Sequence, residues 1–211
     1  MTVTVNDVSF SYEVTAPEVG EGSNVASEGD ASKGKRILSH ISLTLDETAP
    51  LCVFGTSGQG KTTLLRVITG LEKPSEGTVE GIHKDTRMSV LFQEDRLFPH
   101  LSVRQNWKIV SDTIKEDEVV SMAAELGLTA EDLDKLPKDL SGGMRRRAAI
   151  GRALLFPADI YFMDEPIQGL DEATRLQVLS AIAKHTQGKP LLLITHNEKD
   201  AKVLGAKVFR L

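Results

Sequence analysis

Nine consecutive residues, Gly55, Thr56, Ser57, Gly58, Gln59, Gly60, Lys61, Thr62 and Thr63, carry the strongest chemical signal in this chain. Gly55, Gly60, Lys61 and Thr62 fit the spacing Gly-x4-Gly-Lys-Ser/Thr, in which backbone N–H groups turn inward around phosphates. The apolar run Leu51–Phe54 before the loop reads as a buried strand, and a helix is predicted to open near Lys61. That helix N-terminus adds its dipole to an anion site. Lys61 is placed to reach the β- and γ-phosphates of a nucleoside triphosphate, and the Thr62 hydroxyl to bind Mg²⁺. An ordinary glycine turn would need loop, lysine, hydroxyl and flanking elements to agree by chance.

Three further strand ends carry polar groups. The run Asp159–Met163 leads into Asp164-Glu165, and ligands collect at the carboxyl ends of parallel strands. Asp164 is expected to hold Mg²⁺ through water, and Glu165 to polarise an attacking water as general base. Alone, two acids at a strand end read equally well as a solvated turn. His196 closes the run Pro190–Thr195 and is expected to contact the γ-phosphate, although a lone histidine is more often structural. Gln93 follows Met88–Phe92 and is placed to touch Mg²⁺ or the water; a loop glutamine is the competing reading.

The elements needed to position these groups are legible. Residues 2–12 alternate as an edge strand, and Ile37–Leu45 as a second strand. Residues 15–35 are rich in Gly, Ser, Ala and acid and read as a mobile acidic loop. From Ser102 to Asp139 the pattern is helical. Ser141 is an N-cap for a helix to about Phe156, Glu172–His185 and Asn197–Leu204 are helical, and Lys207–Leu211 is a last strand. Strands alternating with helices argue for a parallel-sheet α/β core.

Composition narrows the partners. The net charge is −5 and no basic stripe dominates, so nucleic acid is not expected. Arg145, Arg146, Arg147 and Arg152 read as surface or ion-pairing residues of a helix, and Arg66 and Arg175 as helix-surface residues. Trp107 reads as core or docking groove. The one cysteine, Cys52, excludes an internal disulfide and reads as a buried strand residue. No run approaches the roughly 18 apolar residues of a membrane span, and the N-terminus lacks a signal-peptide pattern. A cytosolic or membrane-peripheral location is the expectation.

The order of phosphate loop, Gln93, Leu140-Ser141-Gly142-Gly143-Met144, Met163-Asp164-Glu165-Pro166, Asp171 and His196 resembles the ATPase subunit of ATP-binding-cassette (ABC) transporters. The resemblance covers nearly the whole chain. It implies an α/β P-loop NTPase fold of the ABC ATPase type. Its parts would be a mixed-sheet core, an N-terminal antiparallel β-subdomain and a helical subdomain inserted at about 94–157, all within one domain, 1–211. It implies ATP and Mg²⁺ as cofactors, with Thr62, Gln93 and Asp164 at the metal. Two ATPase subunits would pack head to tail, each ATP lying between one phosphate loop and the partner's Ser141, Gly142 and Gly143. Asp171 matches the loop coupling the two sites, and Tyr12 the aromatic stacked on adenine, with Phe10 close by in sequence.

The resemblance further implies two transmembrane permease subunits on separate chains and an extracytoplasmic substrate-binding protein. The chain would then sit peripherally on the cytoplasmic face of the inner membrane. The run Phe92–Val103 is similar to small-solute importers, most of all the nitrate/sulfonate/taurine and thiamine branches. Met144 stands where Gln is usual, Ile167–Leu170 precede Asp171 in an uncommon form, and Asn197 follows His196 where Asp is frequent. The alternative is a soluble ABC ATPase acting on nucleic acid or ribosomes. Such proteins usually carry two cassettes or long coiled-coil insertions, and neither fits 211 residues. A small-molecule P-loop kinase would leave Ser141-Gly142-Gly143 and His196 unexplained.

Overall fold

A computed structural model describes residues 1–12 and 35–211; the acidic segment 15–35 lies, except for Lys35, outside the described residues. Five parallel strands form the central sheet in the order β5-β6-β7-β3-β8. They are β3 (Leu51–Phe54), β5 (Met88–Leu91), β6 (Ile160–Asp164), β7 (Leu191–Ile194) and β8 (Lys207–Arg210). A second sheet, order β2-β1-β4, is antiparallel and built from β1 (Thr2–Ser11), β2 (Arg36–Asp46) and β4 (Glu76–Glu80).

The central strands β3, β6 and β7 are buried at every position, which their apolar sequences require up to the Asp164 that ends β6. Alternate residues serve different cores because side chains switch face at each step. Cys52, Phe54, Tyr161, Met163, Leu191 and Leu193 pack toward the larger helical side. Leu51, Val53, Ile160, Phe162, Leu192 and Ile194 pack toward the antiparallel sheet and helix α1 (Lys61–Ile68). Cys52 is fully buried, and desolvation pushes its thiol up to about 12, so it acts as a small apolar residue.

Between β5 and β6 lie α2 (Val103–Lys108), α3 (Glu116–Glu125), two 3-10 turns and α4 (Gly142–Leu155). Trp107 of α2 is fully buried, and its indole N–H donates to the Ala148 carbonyl of α4 at 2.7 Å. This approach requires glycine at 151, where a Cβ would lie 2.4 Å from the Trp107 ring. Trp107 is therefore core. Helix α5 (Glu172–His185) follows β6, and α6 (Glu198–Leu204) joins β7 to β8.

Three expectations are corrected. The core sheet is not mixed: every pairing within it among the described residues is parallel, and antiparallel pairing is confined to the second sheet. Strand β1 is not an edge strand but the centre of its sheet, because β4 pairs along its other side. Strand β4 (Glu-Gly-Thr-Val-Glu) is almost wholly exposed and has no apolar alternation to announce it. Third, Arg175 is not a helix-surface residue, and of the two readings for Arg146 the ion pair holds, with Asp95, rather than the surface; each is 6% exposed.

Candidate active site

The strand order places four chain segments side by side at one sheet edge. The loop after β3, His196 after β7, Asp164 and Glu165 at the end of β6, and Gln93 after β5 follow one another in space. This is the carboxyl edge, where parallel α/β sheets bind ligands.

Gly60 caps α1 in the left-handed conformation, φ 93°, and a Cβ there would lie 2.8 Å from Ile37. Glycine is required on both counts. Lys61 is buried, and its ammonium donates to the Gly55 and Thr56 carbonyls at 2.9 and 3.0 Å. Gln59 folds back to accept from the Thr56 N–H at 2.6 Å. The loop thus presents a buried cation whose hydrogen-bond partners, among the described residues, are carbonyls alone. An anion is the natural complement.

Two adjoining clefts flank the loop. The larger, about 770 Å³, is lined by Gly55, Thr56, Ser57, Gln59 and Lys61 with Glu165, Gln168 and His196. The other, about 390 Å³, is lined by Ser57, Gly58, Gly60, Lys61, Thr62 and Thr63 with Gln93, Asp164, Glu165 and Gln168. Thirteen of the residues singled out in the sequence therefore meet in one place.

The Thr62 hydroxyl donates to Asp164 Oδ2 at 2.5 Å, joining two segments more than a hundred residues apart. Hydroxyl, carboxylate and the Gln93 amide form a hard oxygen set at one cleft, which suits Mg²⁺. A few protein oxygens beside the phosphate loop fit a cation shared with a phosphate substrate, the usual arrangement for Mg²⁺.

Burial pushes the Asp164 carboxyl up from its ordinary value, outweighing the Thr62 hydroxyl, and the neighbouring Glu165 charge adds to the rise. A carboxyl whose folded pKa is raised costs stability wherever the unfolded chain ionises more readily than the folded one. The cost is absent below the ordinary value of 3.8, grows as pH rises from there to the folded value, and is constant above it. At pH 7 without nucleotide, Asp164→Asn is accordingly expected to melt at the same temperature as the wild type or above it. Thermal melts should show the difference shrinking toward pH 4, and a variant markedly less stable at pH 7 would contradict this account.

Glu165 has φ 46°, a left-handed backbone that non-glycine residues seldom adopt. The turn swings its side chain into the cleft. Its Oε2 lies 3.3 Å from His196 Nδ1, not aligned for a hydrogen bond. It is the one buried side-chain polar atom left without a partner among the described residues. An orphaned carboxylate oxygen beside a phosphate loop is equipped to take a proton from water. His196 is largely exposed at the cleft mouth, and Gln93 donates weakly to Gln168 at 3.4 Å.

Tyr12, Ser141, Gly142, Gly143 and Asp171 do not line these clefts. Tyr12 is 43% exposed and meets Phe10 edge-on, while Phe10 is buried, so Tyr12 is the ring free to stack. Ser141 caps α4 by accepting from the Met144 N–H, and Asp171 caps α5 by accepting from Thr174. A Cβ at Gly143 would touch Leu170 at 3.4 Å, so the Ser-Gly-Gly turn and the Asp171 loop adjoin.

Sequence reasoning missed two arginines and a glutamine. Gln168 lines both clefts, and its place three residues after Glu165 was the available signal. Arg175 donates to Asp200 and Glu172, and Asp200 also accepts from the Thr195 hydroxyl at 2.5 Å, tying the start of α5 to the strand end bearing His196. Arg146 bonds the backbone around Gln93 and Glu165.

The sequence profile described as ABC transporter matches residues 38–168, more than half the chain. The aliphatic sulfonates import ATP-binding protein SsuB 1 of Rhodococcus jostii is 35% identical over 195 residues, covering 90% of this chain and 79% of that one. The thiamine import ATP-binding protein ThiQ of Haemophilus influenzae is 34% identical over 187 residues, covering 76% and 86%. The ATP-binding cassette MJ0796, solved as a dimer in a post-hydrolysis state with ADP and Pi, superposes with a TM-score of 0.79. It does so over 99% of this chain and 94% of that one, at 23% identity, a likeness of fold. The chain belongs to the ABC transporter family, as one of its ATP-binding ATPase cassettes.

Proposed function

We propose that this cassette hydrolyses ATP to drive import of a small solute through membrane subunits on separate chains. The observation that carries the reading is its similarity, across three quarters or more of the chain, to proteins named as import ATP-binding subunits. No helix among the described residues is long and apolar enough to cross a membrane, which suits a subunit seated on permeases at the cytoplasmic face. The helical unit at about 94–157 is the surface offered to them. An extracytoplasmic binding protein would deliver the solute.

In this reading Lys61 and the loop N–H groups bind the β- and γ-phosphates, and Tyr12 stacks on adenine. Thr62, Asp164 and Gln93 hold Mg²⁺, which when bound neutralises charge on the phosphates. Glu165 Oε2 takes a proton from water as that water attacks the γ-phosphorus. The bond to the β–γ bridging oxygen breaks, and ADP and phosphate leave. His196 borders Glu165 and the γ-phosphate position. Ser141, Gly142 and Gly143 of a second copy close over the nucleotide, with Asp171 at the join. The solved cassette dimer of the same fold supports this pairing.

The test is a tagged full-length chain recovered from detergent-solubilised membranes of its own cells, together with uptake assays in a strain lacking it. A stoichiometric multi-span membrane protein and loss of uptake of one small solute are expected. Recovery with ribosomes or DNA, no membrane protein and unchanged uptake would overturn the transporter reading in favour of a soluble cassette.

A further inference from the structure

We infer that Arg146 is a positioning residue: it fastens the backbone of Gln93 and Glu165 to the helix that begins at Ser141, so that the placement of the glutamate follows the placement of α4. The inference rests on the roles proposed above for Glu165, Gln93 and the Ser-Gly-Gly turn.

The geometry is unusually complete. A guanidinium has five N–H donors in a rigid plane, and all of those of Arg146 are engaged. Nε donates to the Pro166 carbonyl at 3.0 Å. Nη2 donates to the carbonyls of Asp164 and Glu165 at 2.7 and 2.9 Å. Nη1 donates to the carbonyls of Phe92 and Gln93 at 2.8 and 3.1 Å, and to the Asp95 carboxylate at 3.3 Å. The side chain is 7% exposed. Burial pulls its pKa down from the ordinary value, while Asp95, Asp164 and Glu165 favour the charge.

These carbonyls begin where the sheet stops. The β5–β6 ladder ends at the pair Leu91–Met163. Just beyond it, the two strands diverge into the turns bearing Gln93 and Glu165. Backbone carbonyls leaving a ladder need new donors. One planar fork supplies them for both turns at once. It also braces Glu165 in its left-handed backbone conformation, which persists only where surroundings over-determine it.

The brace comes from the first turn and a half of α4. Ser141 caps that helix, and Arg146 lies five residues on. Arg152, six residues further, adds a contact to the Asp95 carbonyl at 3.4 Å and so grips the same connector. Helix α4 therefore holds both ends of the water-polarising apparatus, and its own N-terminus is the turn that contacts the partner's nucleotide. A shift of α4 on engaging that nucleotide moves Gln93 and Glu165 with it. Each site thereby reads the occupancy of the other. Lysine cannot reproduce this: it has three donors on a flexible stem and no planar fork.

The test uses the full-length chain carrying Arg146→Lys and, separately, Arg146→Met. Three quantities are measured: kcat and KM for ATP hydrolysis, ATP affinity by direct titration, and amide hydrogen exchange across 92–95 and 164–168. Misplacing a reacting group by about 1 Å costs on the order of 100-fold in rate. Arg146→Lys is therefore expected to lose about 10- to 100-fold in kcat. ATP affinity should stay within about three-fold, since the phosphate loop is untouched. Exchange should rise in both segments together. Should Arg146→Met fail to fold, Arg146→Lys decides the matter. A kcat near wild type, a loss confined to ATP affinity, or faster exchange in neither segment or only one would overturn the inference. Glu165→Gln is run in parallel. If it is inactive while Arg146→Lys is unimpaired, the clamp alone is refuted; an active Glu165→Gln refutes the general-base reading instead.

Discussion

Glu165→Gln is expected to lower kcat for ATP hydrolysis by at least about 100-fold, and by as much as 10⁴-fold, the range a positioned general base contributes. That corresponds to about 3–5 kcal/mol of barrier. Glutamine keeps the length and volume of the side chain but cannot accept a proton. Folding should not suffer. The change replaces a carboxylate whose buried oxygen has no hydrogen-bond partner with a neutral amide, which is less costly to leave unpaired, so the unliganded variant should be at least as stable as wild type. Affinity for ATP should hold within a few-fold, because the loop groups and Lys61 are unchanged. With binding intact and turnover lost, gel filtration in ATP should show an accumulated dimer. Wild-type turnover would remove Glu165 from this role.

Ser141→Arg carries the second large effect, and it separates what one chain does from what two do. Within its own chain Ser141 only caps α4, and loss of an N-cap costs about 1 kcal/mol. That is too little to unfold a domain of this size. Ser141 does not line its own chain's clefts either, so ATP binding to a single chain should survive. Hydrolysis should nevertheless fall by at least about 100-fold, because in the proposed pairing a bulky cation would occupy the place of the partner's γ-phosphate. Mixing this variant with Lys61→Ala should restore activity, to at most about a quarter of wild type. Random pairing puts half the chains in mixed dimers, each with one intact site. Full activity of Ser141→Arg alone would exclude the Ser-Gly-Gly turn from the reaction.

The elements with strong local signals were legible. Helix α5 spans the residues its periodicity marks, and the strands β3, β6 and β7 lie where short apolar runs end in polar residues. Ser141 caps α4 as its residue type foretold. The phosphate loop, Thr62, Asp164, Glu165, Gln93 and His196 were legible for a related reason. Asp164 ends β6 and Glu165 follows it, Gln93 and His196 come two residues after β5 and β7, and the loop joins β3 to the helix bearing Thr62. Parallel strands bring their carboxyl ends to one edge.

Other features had no local signal. Strand β4 is polar and exposed, and only its pairing with β1 makes it a strand, which in turn moves β1 from edge to centre. Arg175 sits on a helix whose local pattern does not set it apart from an exposed arginine, and it is buried against Asp200, twenty-five residues away. Arg146 stands in a run of three arginines that differ only in the direction each side chain points. Its partners are mostly backbone carbonyls, and every residue has one.

By itself, then, the sequence determined the fold class, the phosphate loop and the acids beside it, because residue type and spacing encode strand ends, caps and glycine turns directly. Only the tertiary structure decided which arginine is buried, which glutamate oxygen is left unpartnered, and that α4 grips both turns of the site. Those facts depend on hydrogen bonds between segments distant in the chain, for which local residue pattern supplies no register.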